Sequence, residues 1–566
     1  MSVIIINSDF KIADIENNFK VSAGPGAGKT HWLVNHIRNI LHSSNKLSIT
    51  RKVACITYTN TAVENIYKRL GTSSAQVEVS TIHSFLYKHV VKPYVSFIAE
   101  QYSLDISKID GHDDIILSNY SFLNDWKART RQQRIRDDSV VISAFKNLRW
   151  KIEGDDLVVK TPYPFKMGNY PIRNDSYLEY KTMTWEKGII HHDDVLFFSY
   201  QIFKQIPFVA KILLAKFPYL VVDEFQDCNP IQITIFKALG LEGVITGVIG
   251  DPIQSIYGFQ GADYSQFHSF TLPEIKEYYL NENRRSSNEI VGLLNSIRTG
   301  ITQVPFRNTN TQNPKIIVGD MLFALRRAKM ISGNEKVNTL SRVNITSNAM
   351  KAEISGTGLD SKLLGKLVES DKPSSSNKYR SKLITSCIKS IAFARENKFK
   401  DAIKELEKFF NYKADKIKGK RRALKYITIL LKSFEEYKSS SLIEFSEFVR
   451  LNLEPSMTKV SRGAVKVFYE NHTFNQLLLC VSIPEDLSLH KTIHKSKGDE
   501  FKNVLLVLEK EDDIDLFINP DLEQNEEHRV NYVAISRAEN KLFISVPVLS
   551  KNNQEMLNTL FDIEIL

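Results

Sequence analysis

The chain has 566 residues, with 75 Lys and Arg against 65 Asp and Glu, a formal charge of +10. At roughly 150 residues per domain this length predicts about four folding units, and a content of 42% apolar and 25% charged residues excludes both a disulfide-stapled mini-protein and wholesale disorder. The basic balance favours a polyanionic partner, either nucleic acid or an acidic membrane surface, and the charge alone does not decide between them.

In chain order, the apolar run Val3-Ile4-Ile5-Ile6 comes first. It is too short, and lacks the basic leader, to read as a secretory signal. No apolar stretch reaches the ~18 residues of a membrane span. The four cysteines, Cys55, Cys228, Cys387 and Cys480, show no CxxC spacing, which gives a zinc ribbon or iron–sulfur motif no support. A soluble, cytoplasmic protein with reduced thiols and no membrane partner is expected.

Ala23-Gly24-Pro25-Gly26-Ala27-Gly28-Lys29-Thr30 follows a possible strand and precedes an amphipathic helix bearing Trp32, Leu33, His36, Ile37 and Ile40. This pattern is a phosphate loop with Ala in the first Gly position. Its glycines let backbone N–H groups approach phosphates, and the helix N-terminus favours their charge. Lys29 is expected at the β/γ-phosphates of a nucleotide and Thr30 on Mg2+, and the loop alone does not separate kinases, GTPases and motors.

Val53-Ala54-Cys55-Ile56, Tyr219-Leu220-Val221-Val222 and Val244 to Ile249 read as buried parallel strands, as do Val504 to Leu508 and Leu542 to Val546. Strands alternating with helical segments predict α/β sheets, and their grouping before 270 and after 490 predicts two of them. Residues 93–190 and 346–485 lack this signature. In the second, Ile403, Leu406, Phe409 and Phe410 share one helical face, and Pro373-Ser374-Ser375-Ser376-Asn377 reads as a loop. Residues 361–430 hold 19 Lys and Arg against 7 Asp and Glu. A second basic cluster, Lys127, Arg129, Arg131, Arg134 and Arg136, adjoins Trp126. For each cluster, phosphate contact and a solvated helix face are equally matched readings.

The strand Tyr219 to Val222 delivers Asp223 and Glu224 at its C-terminal end, where α/β folds bind ligands. Asp223 suits Mg2+, and Glu224 suits a base or orienter for the attacking water. Downstream, Gly250-Asp251-Pro252-Ile253-Gln254 carries an uncharged amide suited to sensing a γ-phosphate, and Phe259 offers a stacking face.

Together these residues resemble a superfamily 1 helicase of the UvrD/Rep type. Thr57-Tyr58-Thr59-Asn60-Thr61-Ala62 and Ser80-Thr81-Ile82-His83-Ser84-Phe85 resemble that family's DNA-contacting motifs. Leu280-Asn281-Glu282-Asn283-Arg284-Arg285-Ser286 resembles its arginine motif, Thr492 to Phe501 its fifth motif, and Tyr532 to Ala538 its sixth. The resemblance implies two RecA-like parallel-sheet motor domains, each with a largely helical inserted subdomain. The expected boundaries are 1–92 and 191–270 for motor domain 1, around insertion 93–190. Motor domain 2 is expected at 271–345 and 486–566, around the basic insertion 346–485.

The resemblance also implies the site. Glu224, Gln254, Arg285 and Arg537 are the expected catalytic residues, with the two arginines reaching ATP from the second motor domain. Ala23, Gly24, Gly26, Gly28, Lys29, Thr30, Arg284 and Glu500 are expected to bind ATP, and Thr30 and Asp223 to hold Mg2+. Thr59, Asn60, His83, Phe259 and His494 are expected to contact DNA. The implied activity is ATP-driven movement on single-stranded DNA, 3′ to 5′, with single-strand/duplex junctions as substrates.

The chain departs from the family at several points. No Gln precedes residue 76 to read adenine, Arg284 stands where a Tyr is usual, Phe259 replaces Trp, and Gln260 replaces Arg. No appended nuclease domain is expected. Short chains of this type also resemble the GajB-like partners of OLD-family nucleases in Gabija anti-phage systems, so a motor subunit beside a nuclease is a second reading. A nucleotide-gated binding module with little hydrolysis is a third. His191-His192-Asp193-Asp194 looks metal-like in composition but reads better as the start of a helix.

Overall fold

Successive side chains of a β-strand point to opposite faces, so a strand apolar at every position needs cover on both. The run at 53–56 shows this. Val53 and Cys55 join one buried core with Trp32, Leu33 and Ile37, while Ala54 and Ile56 join another with Phe85, Phe198 and Phe236. Each fully buried Val or Ile contributes ~1.5–3 kcal/mol. The computed structural model describes residues 3–109, 116–117, 119–258, 261, 264–298, 300–356, 358–372, 379–410, 416–484 and 487–565. The loop expected at 373–377 and the stacking residue Phe259 lie outside them.

The chain divides into two units. The first comprises Met1–Arg285, Arg298–Asn308 and Asp521–Arg529; the second comprises Ser286–Ile297, Thr309–Pro520 and Val530–Leu566. The first is built on a seven-stranded sheet of β1 (Ile4–Ile6), β2 (Phe19–Ala23), β3 (Val53–Thr57), β4 (Val77–Thr81), β5 (Tyr219–Val222), β6 (Ile245–Gly250) and β7 (Lys276–Leu280). Their order is β1-β7-β2-β6-β5-β3-β4, with every pairing parallel. All C-terminal ends therefore lie on one edge, which collects the loops after β2, β3, β4, β5 and β6.

The second unit carries a six-stranded sheet of β8 (Lys315–Val318), β9 (Val337–Ser341), β10 (His490–Thr492), β11 (Phe501–Val507), β12 (Ala538–Val546) and β13 (Asp562–Ile565). The order is β10-β9-β11-β12-β8-β13, again parallel throughout. Two helix-flanked parallel sheets match the expected fold class.

Between β9 and β10 lies a helical body with its own core, from Leu363 to Ile483. In its helix Phe399–Phe410, Leu406 is buried in that core, with Ile403, Phe409 and Phe410 packed against it, as the periodicity implied. The basic helix Lys416–Lys432 exposes Lys418, Lys420, Arg421 and Lys425.

Three expectations change. First, β7 belongs to the first sheet, between β1 and β2, so the first unit runs to Arg285 rather than ending at 270. Parallel pairing with both neighbours holds it there, and it carries the arginine motif with it. Second, the insertion at 93–190 is not strand-free. Arg149–Glu153 pairs antiparallel with Asp156–Lys160, and Lys166–Met167 with Tyr170–Pro171. The turn of the first hairpin uses Gly154 at φ 63°, a conformation that favours glycine. Third, part of the basic cluster near Trp126 is used internally. Lys127 is buried and pairs with Asp138, and Arg129 binds Glu179 and Glu186 at 3.0 and 3.1 Å.

Candidate functional site

The phosphate loop leaves β2 at Ala23 and enters the helix Lys29–Ser43. Gly26 and Gly28 adopt φ of 69° and 78°, values that cost an L-residue dearly. Space is also closed to larger residues. A Cβ on Gly24 would stand 2.2 Å from Gln303 Nε2, and one on Gly26 2.7 Å from Asn283 Oδ1. The helix is anchored beneath by buried Trp32, Leu33, Ile37 and Ile40, with Trp32 stacked on His36 at 4.9 Å. Burial lowers the His36 pKa to about 4, so this imidazole is a neutral packing group. Lys29 and Thr30 occupy the first helical turn and are partly exposed.

At the end of β5, Asp223 is buried and its N–H donates to Ile56 O at 2.8 Å. Its Oδ1 is buried and accepts no hydrogen bond among the described residues. Burial first, then the charge of Glu224, push the carboxyl pKa up to about 7, with Lys29 pulling the other way. A buried carboxylate oxygen with no hydrogen bond among the described residues is a position a hard cation can complete, and Thr30, in the first turn of the helix after the loop, is a second oxygen donor of the kind Mg2+ takes. Glu224 sits at φ 52°, a left-handed conformation uncommon outside glycine and found at functional sites.

The ends of β5 and β6 are locked together. Gln226 donates to Glu224, and its Oε1 accepts from Asp251 N at 3.0 Å. Gly250 leaves room for that amide, because a Cβ there would lie 2.2 Å from Gln226 Oε1. Asp251, fully buried, accepts from Gln254 Nε2 at 2.8 Å and pairs with Arg298 at 3.1 Å. Arg529 Nε donates to Ser255 O at 2.9 Å. Gln254 is therefore held by a buried ion pair rather than by loop conformation alone.

The arginine motif lies against the phosphate loop within the first unit. Arg284 N donates to Gly26 O at 2.9 Å, and Gln303 Nε2 to Pro25 O at 2.8 Å. Arg285, expected from the second motor domain, belongs to the first unit, its Cβ beside Gly26. The cause is β7, which delivers the motif to this edge. The Arg284 guanidinium stacks on Phe306 at 3.9 Å and pairs with Asp9 at 2.9 Å and Glu282 at 3.0 Å.

On the same edge, Thr59 caps the helix Asn60–Leu70, accepting from Ala62 N at 3.1 Å, and both Thr59 and Asn60 are exposed. Tyr58 stacks on Tyr257 with centroids 5.0 Å apart. His83 stacks on His192 at 3.7 Å, and burial with the neighbouring His192 lowers its pKa to about 3. It meets any phosphate as a neutral ring.

In the second unit, Arg537 follows the helix Glu526–Ile535. It is buried, its Nε donating to Val533 O at 3.1 Å and its Nη2 to Ser536 Oγ at 3.3 Å. His494 lies in a short 3-10 turn after β10, partly exposed, and Glu500 is exposed just before β11.

The structure thus gathers Ala23, Gly24, Gly26, Gly28, Lys29, Thr30, Asp223, Glu224, Gln254, Arg284 and Arg285 within the first unit. Thr59, Asn60 and His83 follow strands of the same sheet. Arg537, His494 and Glu500 belong to the second unit. Sequence reasoning missed Arg298, Gln303, Phe306 and Arg529, none of which sits in a local pattern, and gave no role to Gln226, which lies within the acidic run Asp223 to Asp227. Tyr58 and Tyr257 were visible beside recognised motifs. Among the described residues no helix is long and apolar enough to cross a membrane.

Both halves of the chain match known domain families. Residues 9–273 match the UvrD/REP helicase N-terminal domain, and residues 264–548 match the UvrD-like helicase C-terminal domain. The chain is similar to Gabija protein GajB of Bacillus cereus (strain HuB5-5), 25% identical over 338 residues, 52% of this chain and 48% of GajB. It is also similar to the ATP-dependent DNA helicase PcrA of Staphylococcus aureus (strain Mu50), 26% identical over 310 residues, 53% of this chain and 39% of PcrA. The matched stretches thus span half or less of these relatives' own lengths. With a nucleotide loop, an acidic strand end and an arginine motif in one unit, and both domain models matched in order, the chain belongs to the UvrD-like helicase family.

Proposed function

We propose that this chain is a DNA-dependent ATPase that moves on single-stranded DNA in the 3′ to 5′ direction. The observation that carries the reading is the bare oxygen of buried Asp223, within reach of the Lys29 charge and followed by a left-handed Glu224, on the sheet edge that also carries the glycine loop. Lys29 and the loop N–H groups bind the β- and γ-phosphates of ATP, and Thr30 and Asp223 hold Mg2+. The ion supplies charge neutralisation on those phosphates. Glu224 takes the proton of the attacking water, and Gln254 orients on the γ-phosphate, kept in place through Asp251 by Arg298. Arg285 adds a cation beside the loop, and Arg537 is assigned the arginine-finger role, worth ~10³–10⁵ in rate in related chemistry. Glu500 is assigned to the ribose.

Arg284 replaces the usual aromatic at the base. Its guanidinium, already supported by Phe306, presents a planar cation there. DNA contacts are assigned to Thr59, Asn60, His83 and His494, and base stacking to Phe259. Tyr58 and Tyr257 stack on each other and offer a second aromatic pair, and each base stack is worth ~1–3 kcal/mol whatever the base.

Lys29→Ala tests the reading. ATP hydrolysis stimulated by single-stranded DNA should vanish while the circular dichroism spectrum is kept, and normal turnover in this variant contradicts the assignment. The similarity to GajB favours a second reading, a motor subunit beside a nuclease in an anti-phage complex. Co-purification with such a nuclease from the native host separates this from a free helicase.

A further inference from the structure

We propose that His83, His192 and Asp193 form a binding site for a divalent transition-metal ion, Zn2+ in the first instance. The fold brings two sequence-distant segments together. His83 lies in the helix Ile82–Leu86, which follows β4, and Thr81 caps it by accepting from Ser84 N at 3.4 Å. His192 and Asp193 immediately precede the helix Asp194–Gln205. Ile82 and Phe85 of the first helix share one buried core with Val195 and Phe198 of the second. Their N-terminal ends are thereby fixed side by side.

The ligand atoms follow from this packing. One nitrogen from each ring and one Asp193 oxygen all lie within 4.8 Å of one another. The rings stack with centroids 3.7 Å apart and planes at 28°. Around a tetrahedral ion with bonds of ~2.0–2.1 Å, ligand atoms stand about 3.4 Å apart. Convergence on one ion takes a turn of the His192 ring out of the stack as well as a shift of about 1 Å, and His192 is exposed.

His83 Nε2 is buried and makes no hydrogen bond among the described residues, the state expected of a ring nitrogen whose partner is an ion. Arg149 approaches Asp193 Oδ2 at 3.6 Å, beyond hydrogen-bond reach, and leaves the other oxygen to the ion. Two imidazoles and one carboxylate suit Zn2+ and its neighbours in the first transition row. Three protein ligands leave a fourth position for water or an anionic oxygen. The proposal is independent of the ATP-site assignments, but an ion on His83 would take that ring out of the DNA contacts proposed above, so the two roles of His83 are alternatives.

The test uses the full chain stripped by chelator and dialysed. Calorimetric titration with Zn2+ alone should show one saturable site, and Co2+ in its place should give the visible absorption of a tetrahedral ion. His192→Ala and Asp193→Asn, both on accessible side chains, should each weaken binding at least about tenfold, since even an outer-shell change costs that much. Their circular dichroism spectra should match the parent. The proposal is overturned if the parent binds no Zn2+, if both variants bind it undiminished, or if only one of them is affected.

Discussion

Two buried aspartates in the first unit show opposite designs. Asp194 is saturated. It pairs with Lys181 at 2.7 Å and accepts from Trp150 Nε1 at 2.9 Å, Trp185 Nε1 at 3.1 Å and His191 N at 3.0 Å. Burial works against its charge, yet Lys181 and His191 hold its carboxyl well below the usual carboxylate range. Asp223 is equally enclosed, but one oxygen accepts nothing, and burial with Glu224 raises its pKa to about 7. A buried charge is stable only when paired and hydrogen-bonded. A saturated carboxylate therefore ties elements together: here the hairpin, the helix Asp175–Trp185 and the helix Asp194–Gln205. An unsaturated one marks where something else binds.

Substitutions sharpen the contrast, beginning with the largest effect. Asp194→Asn leaves the Lys181 ammonium buried without its counter-charge. It should cost about 3–5 kcal/mol, read by denaturant unfolding, with the ATPase activity of the folded fraction retained. Asp223→Asn should do the reverse. Turnover should fall about 10²–10³-fold, the scale of losing one preorganised electrostatic group, while the unfolding midpoint holds or rises. If both variants lose stability equally, the distinction between them is wrong.

Gly250→Ala probes the lock between β5 and β6. Its new Cβ meets Gln226, and overpacking of this kind costs about 1–3 kcal/mol. Unfolding should report that loss together with slower hydrolysis, since Gln226 also reaches Glu224 and Asp251. Thr59→Ala removes a helix cap and should cost about 1 kcal/mol. Its affinity for single-stranded DNA should drop modestly and evenly across sequences, measured by fluorescence anisotropy.

The same contrast explains what was legible in the sequence. Strands buried on both faces announce themselves as unbroken apolar runs, so β3, β5 and β6 were found within a residue of their ends. β7 was missed because Lys276 and Glu277 open it and its apolar content is two tyrosines and a leucine. β10 spans three residues, too few for any period. Arg149–Glu153 alternates polar and apolar residues around Trp150 and Ile152, a readable strand signal overlooked beside the helical reading of the insertion. Lys29, Thr30, Asp223 and Glu224 were legible because phosphate chemistry fixes residue types at short spacing. Arg298, Gln303 and Arg529 were not, because each acts through a long-range contact that only the folded sheet creates. The cluster near Trp126 gave no warning that Lys127 and Arg129 answer to acidic side chains nearby.

The most direct test of the central claim is steady-state ATP hydrolysis by the full chain, with and without single-stranded DNA, in the parent and in Arg537→Ala. The account predicts strong stimulation by DNA in the parent, and loss of turnover in the variant with ATP binding largely kept. Hydrolysis that ignores DNA, or a variant that turns over ATP as fast as its parent, would contradict it.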